Sequence, residues 1–342
     1  MDRRLILAVA GSGKTTYILN RLDTEKRFLI VTYTENNLSH IRETIIKRFG
    51  YEPNNITIKS YFQFLIQDCY RPFLKDVVQD NGIFWRMPSE VTFRYKRDNP
   101  LFYLTREHLL YHNRIAKLCQ EWKCVPQIKA RIEKFYDCFL FDEIQDLGGH
   151  DFNLMLDILP SIDCVFVGDF FQHTFDTSQD GAVNKSLYNN YETYKRHWKL
   201  TGVVVDETTL SNSYRCSPTI CDYVREQLKI AIYSYRSDNT QIQWIDNQEK
   251  ADELYNDDNK VKLFYNRSYQ YRCFAENWGK SKGLDYFEDV CIVVNTTTLR
   301  ALKEGNASTL KPSTKNKLYV ACTRAKRDIY FIPDSFYKKY KE

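Results

Sequence analysis

The stretch Ala10-Gly11-Ser12-Gly13-Lys14-Thr15-Thr16 constrains the fold of this chain more than any other. It follows an apolar run, Leu5-Ile6-Leu7-Ala8-Val9, that reads as a buried strand, and it precedes residues 17–22, which read as a helix. A strand, a glycine-rich turn and a helix in that order make a phosphate-binding loop. Ala8 stands where the strict pattern G-x-x-x-x-G-K-[ST] has its first glycine, so the variant here is A-x-x-x-x-G-K-T. The parts that matter physically lie at its end. Gly11 and Gly13 let the backbone N–H groups around Ser12 turn toward phosphate oxygens, and the helix start adds partial positive charge. Lys14 can reach the β- and γ-phosphates, and Thr15, followed by Thr16, can offer a hydroxyl to Mg²⁺. The loop therefore calls for a nucleoside triphosphate with Mg²⁺.

A chain of 342 residues has room for two or three domains, and its 43% hydrophobic and 27% charged residues can build a real core. The formal charge of +5 suits a polyanionic partner without requiring one. Basic runs at 94–97, 311–317 and 338–341 read as solvated faces. With 25 Tyr and 21 Phe the chain is rich in aromatics, which composition alone assigns to core packing before base stacking. Ten scattered cysteines without a dense framework point to reduced thiols and a cytoplasmic setting. His108 and His112, spaced for one face of a helix, and Cys119 and Cys124 are the nearest approach to a zinc pattern, but zinc sites space their ligands more tightly. No run is long enough to span a membrane, so no membrane partner is expected. Arg3-Arg4 and the apolar residues after them lead into the phosphate loop, which makes a core strand and not a signal peptide.

Periodicity predicts an α/β fold. Strands are expected at 28–34, 55–58, 138–141 and 164–167, with helices at 36–48 (closed by Gly50), 61–69 and 152–159. Residues 70–135 break this alternation and read as a small inserted helical subdomain with a helix at 106–122. From 201 a second α/β unit begins, with a helix at 220–232 and strands at 261–265, 290–294 and 329–332; the polar residues 237–259 read as a surface excursion. Strands apolar on both faces suit parallel sheets covered by helices. The expected division is 1–200, with the insertion at about 70–135, and 201–342.

Phe141-Asp142-Glu143-Ile144-Gln145-Asp146 follows a predicted strand directly. An Asp at a strand end can hold Mg²⁺, while an adjacent Glu can orient and deprotonate the attacking water. Gly168-Asp169-Phe170-Phe171-Gln172 ends another strand, from which Gln172 could sense the γ-phosphate. Asn212-Ser213-Tyr214-Arg215 and Ala321-Cys322-Thr323-Arg324-Ala325-Lys326 each place an Arg in the second unit. An Arg that meets the γ-phosphate in the transition state is worth about 10³–10⁵ in rate.

Taken in order, these segments resemble the motifs of the UvrD/Rep-like helicases of superfamily 1 along nearly the whole chain. AVAGSGKTT is similar to motif I and Thr32-Tyr33-Thr34 to motif Ia. Thr57-Ile58-Lys59-Ser60-Tyr61 is similar to the T-x-H-S-F element, with Lys59 in place of His. DEIQD matches the DExQD of motif II and GDFFQ the GDxxQ of motif III. SYRCSP resembles motif IV, Lys282-Gly283-Leu284-Asp285 the KGLE of motif V, and LYVACTRAK motif VI.

The resemblance implies two RecA-like P-loop domains with ATP between them. Lys14, Thr15, Asp142 and Glu143 would act from the first, Arg215 and Arg324 as arginine fingers from the second. Tyr214 would stack on adenine, Asp285 would stand where the family's Glu meets the ribose, and single-stranded DNA would run past Thr32, Tyr33, Thr34, Ser60 and Lys280. The implied activity is a 3′→5′ translocase or helicase on single-stranded or partially duplex DNA, driven by cycles of closure and hydrolysis.

Three departures refine this. The glutamine motif that reads adenine upstream of motif I has no counterpart in this sequence. Thr177 falls where the family has a stacking Trp, which leaves Phe175 as the nearby aromatic. Both insertions are short, so a compact motor with a protein partner for strand separation is expected. The alternative is an ATP-gated regulatory or binding module of a larger assembly.

Overall fold

The computed structural model describes residues 1–174 and 180–342. These form two compact units. The first takes in Met1–Ile6, Lys14–Gly168 and the later segment that ends at Asp206. The second takes in Leu7–Gly13, the segment that starts at Asp169, and Glu207–Glu342.

In the first unit the chain runs through β1 (Arg3–Leu7), α1 (Lys14–Leu19), β2 (Phe28–Thr32), α2 (Glu35–Phe49), β3 (Ile56–Ser60), α3 (Tyr61–Phe64) and α4 (Arg71–Val78). The insertion follows: β4 (Gly82–Phe84), β5 (Leu109–Tyr111), α5 (Ile115–Glu121) and α6 (Val125–Phe135). Then come β6 (Cys138–Asp142), α7 (Gly149–Asp157), β7 (Asp163–Gly168), α8 (Tyr191–Leu200) and β8 (Val204–Asp206). The main sheet has the order β3-β2-β6-β7-β1-β8. Its β2 pairs in parallel with β3 and β6, β6 with β7, and β1 with β8. Strands β2 and β6 are buried along their whole length, as an interior strand covered on both faces must be.

The second unit contains β9 (Asn212–Ser213), α9 (Pro218–Leu228), β10 (Tyr233–Ser234), β11 (Ile242–Trp244), α10 (Gln248–Asn256), β12 (Val261–Phe264), β13 (Ala275–Asn277), β14 (Val290–Val294), α11 (Thr296–Lys303), α12 (Pro312–Cys322) and β15 (Ile329–Pro333). Five of its strands make a parallel sheet in the order β11-β15-β14-β12-β13. The fold is α/β with parallel sheets.

Several boundaries differ from the sequence reading, each for a local reason. The helix expected at 61–69 continues to Val78, passing through wide π-type turns at Leu65–Tyr70. Pro72 at the start of α4 has no N–H to give back to the preceding turn, and a π-bulge absorbs that loss. The helix expected at 106–122 forms only from Ile115, because β5 is drawn into a parallel pair with β4 and His108 turns through a left-handed conformation (φ 58°). His108 and His112 therefore do not share a helix face. Residues 237–259 are not a plain excursion: they supply edge strand β11 and helix α10. Gly50 closes α2 with φ 81°, donating its N–H to Ile46.

All ten cysteines are free thiols, nine of them buried. Among the described residues no helix is long and apolar enough to cross a membrane.

The insertion packs against helix α7 and the segment at Asp180 through a buried polar knot. Arg114 donates from Nε to Asp180 at 2.9 Å and Lys117 lies 3.4 Å from the same carboxylate. On α7, the Nδ1 of His150 lies 3.2 Å from Gln120 Oε1 of α5. Burial and the positive charge of Lys117 push the His150 pKa down to about 4, with Arg97 acting the same way and Asp180 and Glu121 opposing. A neutral imidazole is thus built into the folded state. Below the usual 6.5 the unfolded chain takes up a proton that the folded chain refuses until about 4, so stability falls as pH drops through that window. His150→Gln should flatten this part of the profile in thermal melts; a slope equal to wild type would remove His150 as its source.

Candidate functional site

The C-terminal edge of the first sheet brings the chemistry together. Strand register sets Ser60 beside Thr32, Thr32 beside Asp142 and Asp142 beside Val167. Residues from three distant motifs therefore share one rung, at the edge where parallel α/β sheets bind ligands.

Asp142 is completely buried. Thr15 donates its hydroxyl to Asp142 Oδ2 at 2.7 Å, while Oδ1 is buried without a hydrogen-bond partner. Burial and the neighbouring charge of Glu143 push the Asp142 pKa up to about 7, against the pull of the Thr15 hydrogen bond and Lys14. A buried carboxylate oxygen with nothing to bind is a costly arrangement that a cation would relieve. Thr15 and Asp142 thus suit Mg²⁺, which takes one or two protein oxygens and completes its shell with phosphates and water. Among the described residues no group of three or more His, Cys, Asp or Glu gathers to hold a metal by itself.

Glu143 sits in the left-handed region (φ 61°), which turns its side chain back toward the loop helix. Its Oε1 lies 3.5 Å from Lys14 Nζ, and its Oε2 accepts from Gln145 Nε2. Gln145 is fully buried and fits only because residue 168 is glycine. A Cβ there would collide with Gln145 Oε1 and come within 2.8 Å of Ile144 Cγ2. The sequence offered Gly168 and Gln145 as motif letters; their shared task of holding Glu143 became visible only here.

In the second unit, Gly11 and Gly13 have φ of 69° and 82°, the left-handed turns that the loop needs. Gly11 has a second reason to be glycine, since a Cβ would lie 2.6 Å from Arg215 Cβ and 2.8 Å from Ser213 Oγ. Ser12 is buried and donates its hydroxyl to Val9 O at 2.8 Å, and Ala10 N–H donates to Tyr319 Oη at 2.9 Å. Tyr319, unnoticed inside LYVACTRAK, donates its own hydroxyl to Asp169 Oδ2 at 2.9 Å and so ties the loop to the segment that carries Gln172, itself buried.

Arg215 and Arg324 share one acceptor. Arg215 pairs with Asp285 Oδ1, and Arg324 Nη1 lies 3.5 Å from the same oxygen. Arg324 is buried and its Nε has no partner; burial, with the charge of Arg215 beside it, pushes its pKa down to about 10, so it stays charged at neutral pH. Tyr214, 63% exposed, lies flat against Tyr235 with ring centroids 4.4 Å apart. Nothing in the sequence marked Tyr235.

The residues expected beside a nucleic acid are placed unequally. Thr32 is fully buried at the end of β2, so its hydroxyl does not reach the surface. Thr34 caps α2 by accepting from Asn37 N–H, and Ser60 caps α3 in a reciprocal box with Gln63. Tyr33 is half-buried and Lys280 exposed. Phe175 and Thr177 lie outside the described residues.

The model of the viral superfamily 1 RNA helicase core domain matches residues 104–333, well over half of the chain. The chain belongs to this family. No curated protein matches it. Among solved structures, this helicase core is similar in fold to arterivirus nonstructural protein 10 (helicase) in complex with DNA, with 14% identity, a TM-score of 0.52 and 96% of this chain covered. A second structure of arterivirus nonstructural protein 10 gives 13% identity and a TM-score of 0.52 over 99% of this chain. The helicase core spans 60% and 62% of the length of those two chains. The superfamily 1 level of the motif resemblance is therefore established.

Gly168→Ala should displace Gln145 and release Glu143. We expect a stability loss of about 1–3 kcal/mol and a fall in turnover larger than any loss of nucleotide binding, checked by denaturant titration beside single-turnover kinetics. Tyr319→Phe leaves the Ala10 N–H without its partner and should cost about 1–3 kcal/mol. A melt superimposable on wild type would show that this tie carries no stability.

Proposed function

We propose that this helicase core is an ATP-driven motor that moves on single-stranded nucleic acid. The observation that carries the reading is the buried Asp142 carboxylate, one oxygen on Thr15 and the other unpartnered, beside the Lys14–Glu143 pair at the end of a phosphate loop. Bound Mg²⁺ would neutralise charge on the β- and γ-phosphates. In this reading Lys14 exchanges Glu143 for phosphate oxygens, which frees Glu143 to orient a water and accept its proton. Gln145 keeps Glu143 in place meanwhile. Arg215 and Arg324, with Gln172 as sensor, meet the transferred phosphoryl group, Tyr214 stacks on the base, and Asp285 gives up its arginines to take the ribose.

The DExQD, KGLD and VACTRAK wording follows the UvrD/Rep-like pattern and supports single-stranded DNA and 3′→5′ movement. The family itself is named for RNA helicases and one similar structure for its complex with DNA, so both strand types belong in the test. The short insertion supports a protein partner for duplex opening.

ATP turnover should rise strongly with single-stranded DNA and less with duplex or RNA. Lys14→Ala should abolish it, and Glu143→Gln should lower it by about 10²–10⁴-fold, the range for loss of a general base. Displacement of a labelled strand from substrates tailed at either end then reads direction. Hydrolysis indifferent to every nucleic acid would overturn the motor reading in favour of a nucleotide-gated module.

A further inference from the structure

The first unit carries a surface groove of about 510 Å³, within the range of about 300–1,000 Å³ usual for small-ligand pockets. Its wall includes Tyr33 and Ser60, from the two motifs at the end of β2 and β3, and also Phe62, Gln63, Arg71 and Trp85. Trp85 comes from the insertion, immediately after β4, and was assigned no role by the motifs. It is 57% exposed, a large apolar ring left in water.

The ring is nevertheless held. His112 stacks against it at 5.4 Å with an interplanar angle of 30°, and His112 Nδ1 lies 3.1 Å from Phe84 O. Phe62 meets Trp85 edge to face at 5.3 Å, and Tyr33 lies 6.3 Å from Phe62. An exposed indole braced on one side by other rings keeps its remaining surface for a flat partner. Arg71 on the wall and exposed Arg86 beside Trp85 favour an anionic partner, opposed among the lining residues by Glu35 alone. Gln63 and Gln67 supply amides that can hydrogen-bond to any base edge. Ser60 in the wall is two strands from Asp142 on the same rung, which connects the groove to the nucleotide-site edge through the backbone of one sheet.

We propose that Trp85 and Phe62 form a stacking seat for an unpaired base of a single-stranded nucleic acid, with Arg71 attracting its phosphate. The proposal rests on the motor reading and deepens it. The insertion then supplies the aromatic platform that motif III, with Thr177 in place of Trp, does not. Flat stacking explains why the groove needs rings and amides in preference to a dense cluster of charge.

Binding of labelled oligo-dT and oligo-rU is measured by anisotropy across a salt series with the full chain. Trp85→Ala should weaken binding by about tenfold on the strand type that wild type prefers, in line with the loss of one base stack. Trp85→Phe should recover most of it, and the salt slope should stay at the wild-type value. Arg71→Gln should instead lower the slope by about 0.7, the value for one phosphate contact on a single strand. If wild type binds and Trp85→Ala binds equally well, or Trp85→Phe loses as much as Trp85→Ala, the seat is wrong and the motor reading stands. If wild type binds neither strand type, both fall together.

Discussion

A carboxylate buried at the end of a central strand is the constraint on which this molecule is arranged. Taking Asp142 out of water costs several kcal/mol unless its oxygens are satisfied. The protein satisfies one with Thr15 and leaves the other bare. The surrounding features keep that position usable. The β2 and β6 register brings Thr32 and Ser60 into line with it, Gly168 vacates space for Gln145, and the left-handed Glu143 reaches Lys14. The raised pKa of Asp142 reflects the same unpaid desolvation. A buried carboxylate oxygen without a hydrogen-bond partner is one that a cation can stabilise strongly.

The second unit handles buried charge in the opposite sense. Arg324 is sealed from solvent with an unpartnered Nε, and its nearest anion, Asp285, is 65% exposed and shared with Arg215. A pair with one end in water is weak and screened, so Asp285 can release its arginines at small cost. Cations with a loosely held carboxylate are suited to accept a more highly charged anion. Tyr319 adds the rigid element, because its buried hydroxyl bonds the loop backbone and Asp169 at once.

Legibility of the site in the sequence followed the range of the interaction. Gly11, Gly13, Lys14 and Thr15 act through backbone conformation and immediate neighbours, so their spacing alone revealed them. Asp142 and Glu143 were visible because a carboxylate pair directly after four apolar residues is rarely an accident. Tyr319, Gly168 and Trp85 were opaque, since each matters through a partner distant in the sequence or through space that a neighbour occupies, and periodicity carries no such information. The same distinction explains the element errors. Residues 106–122 have a helical pattern, yet pairing of β5 with β4 overrode it, and the strand β11 inside a polar stretch exists only because β15 offers it an edge.

By itself the sequence determined the α/β class, the phosphate loop, the order of the motifs and the superfamily to which they belong, because these depend on local geometry and on residue types at fixed spacing. Only the tertiary structure decided which oxygen of Asp142 is unpartnered, that Thr32 is buried, that Arg215 and Arg324 share Asp285, and that an inserted tryptophan lines a groove with Tyr33 and Ser60. The physical reason is that burial and partnership belong to pairs of residues brought together by strand register and packing, and no single stretch of chain contains both members.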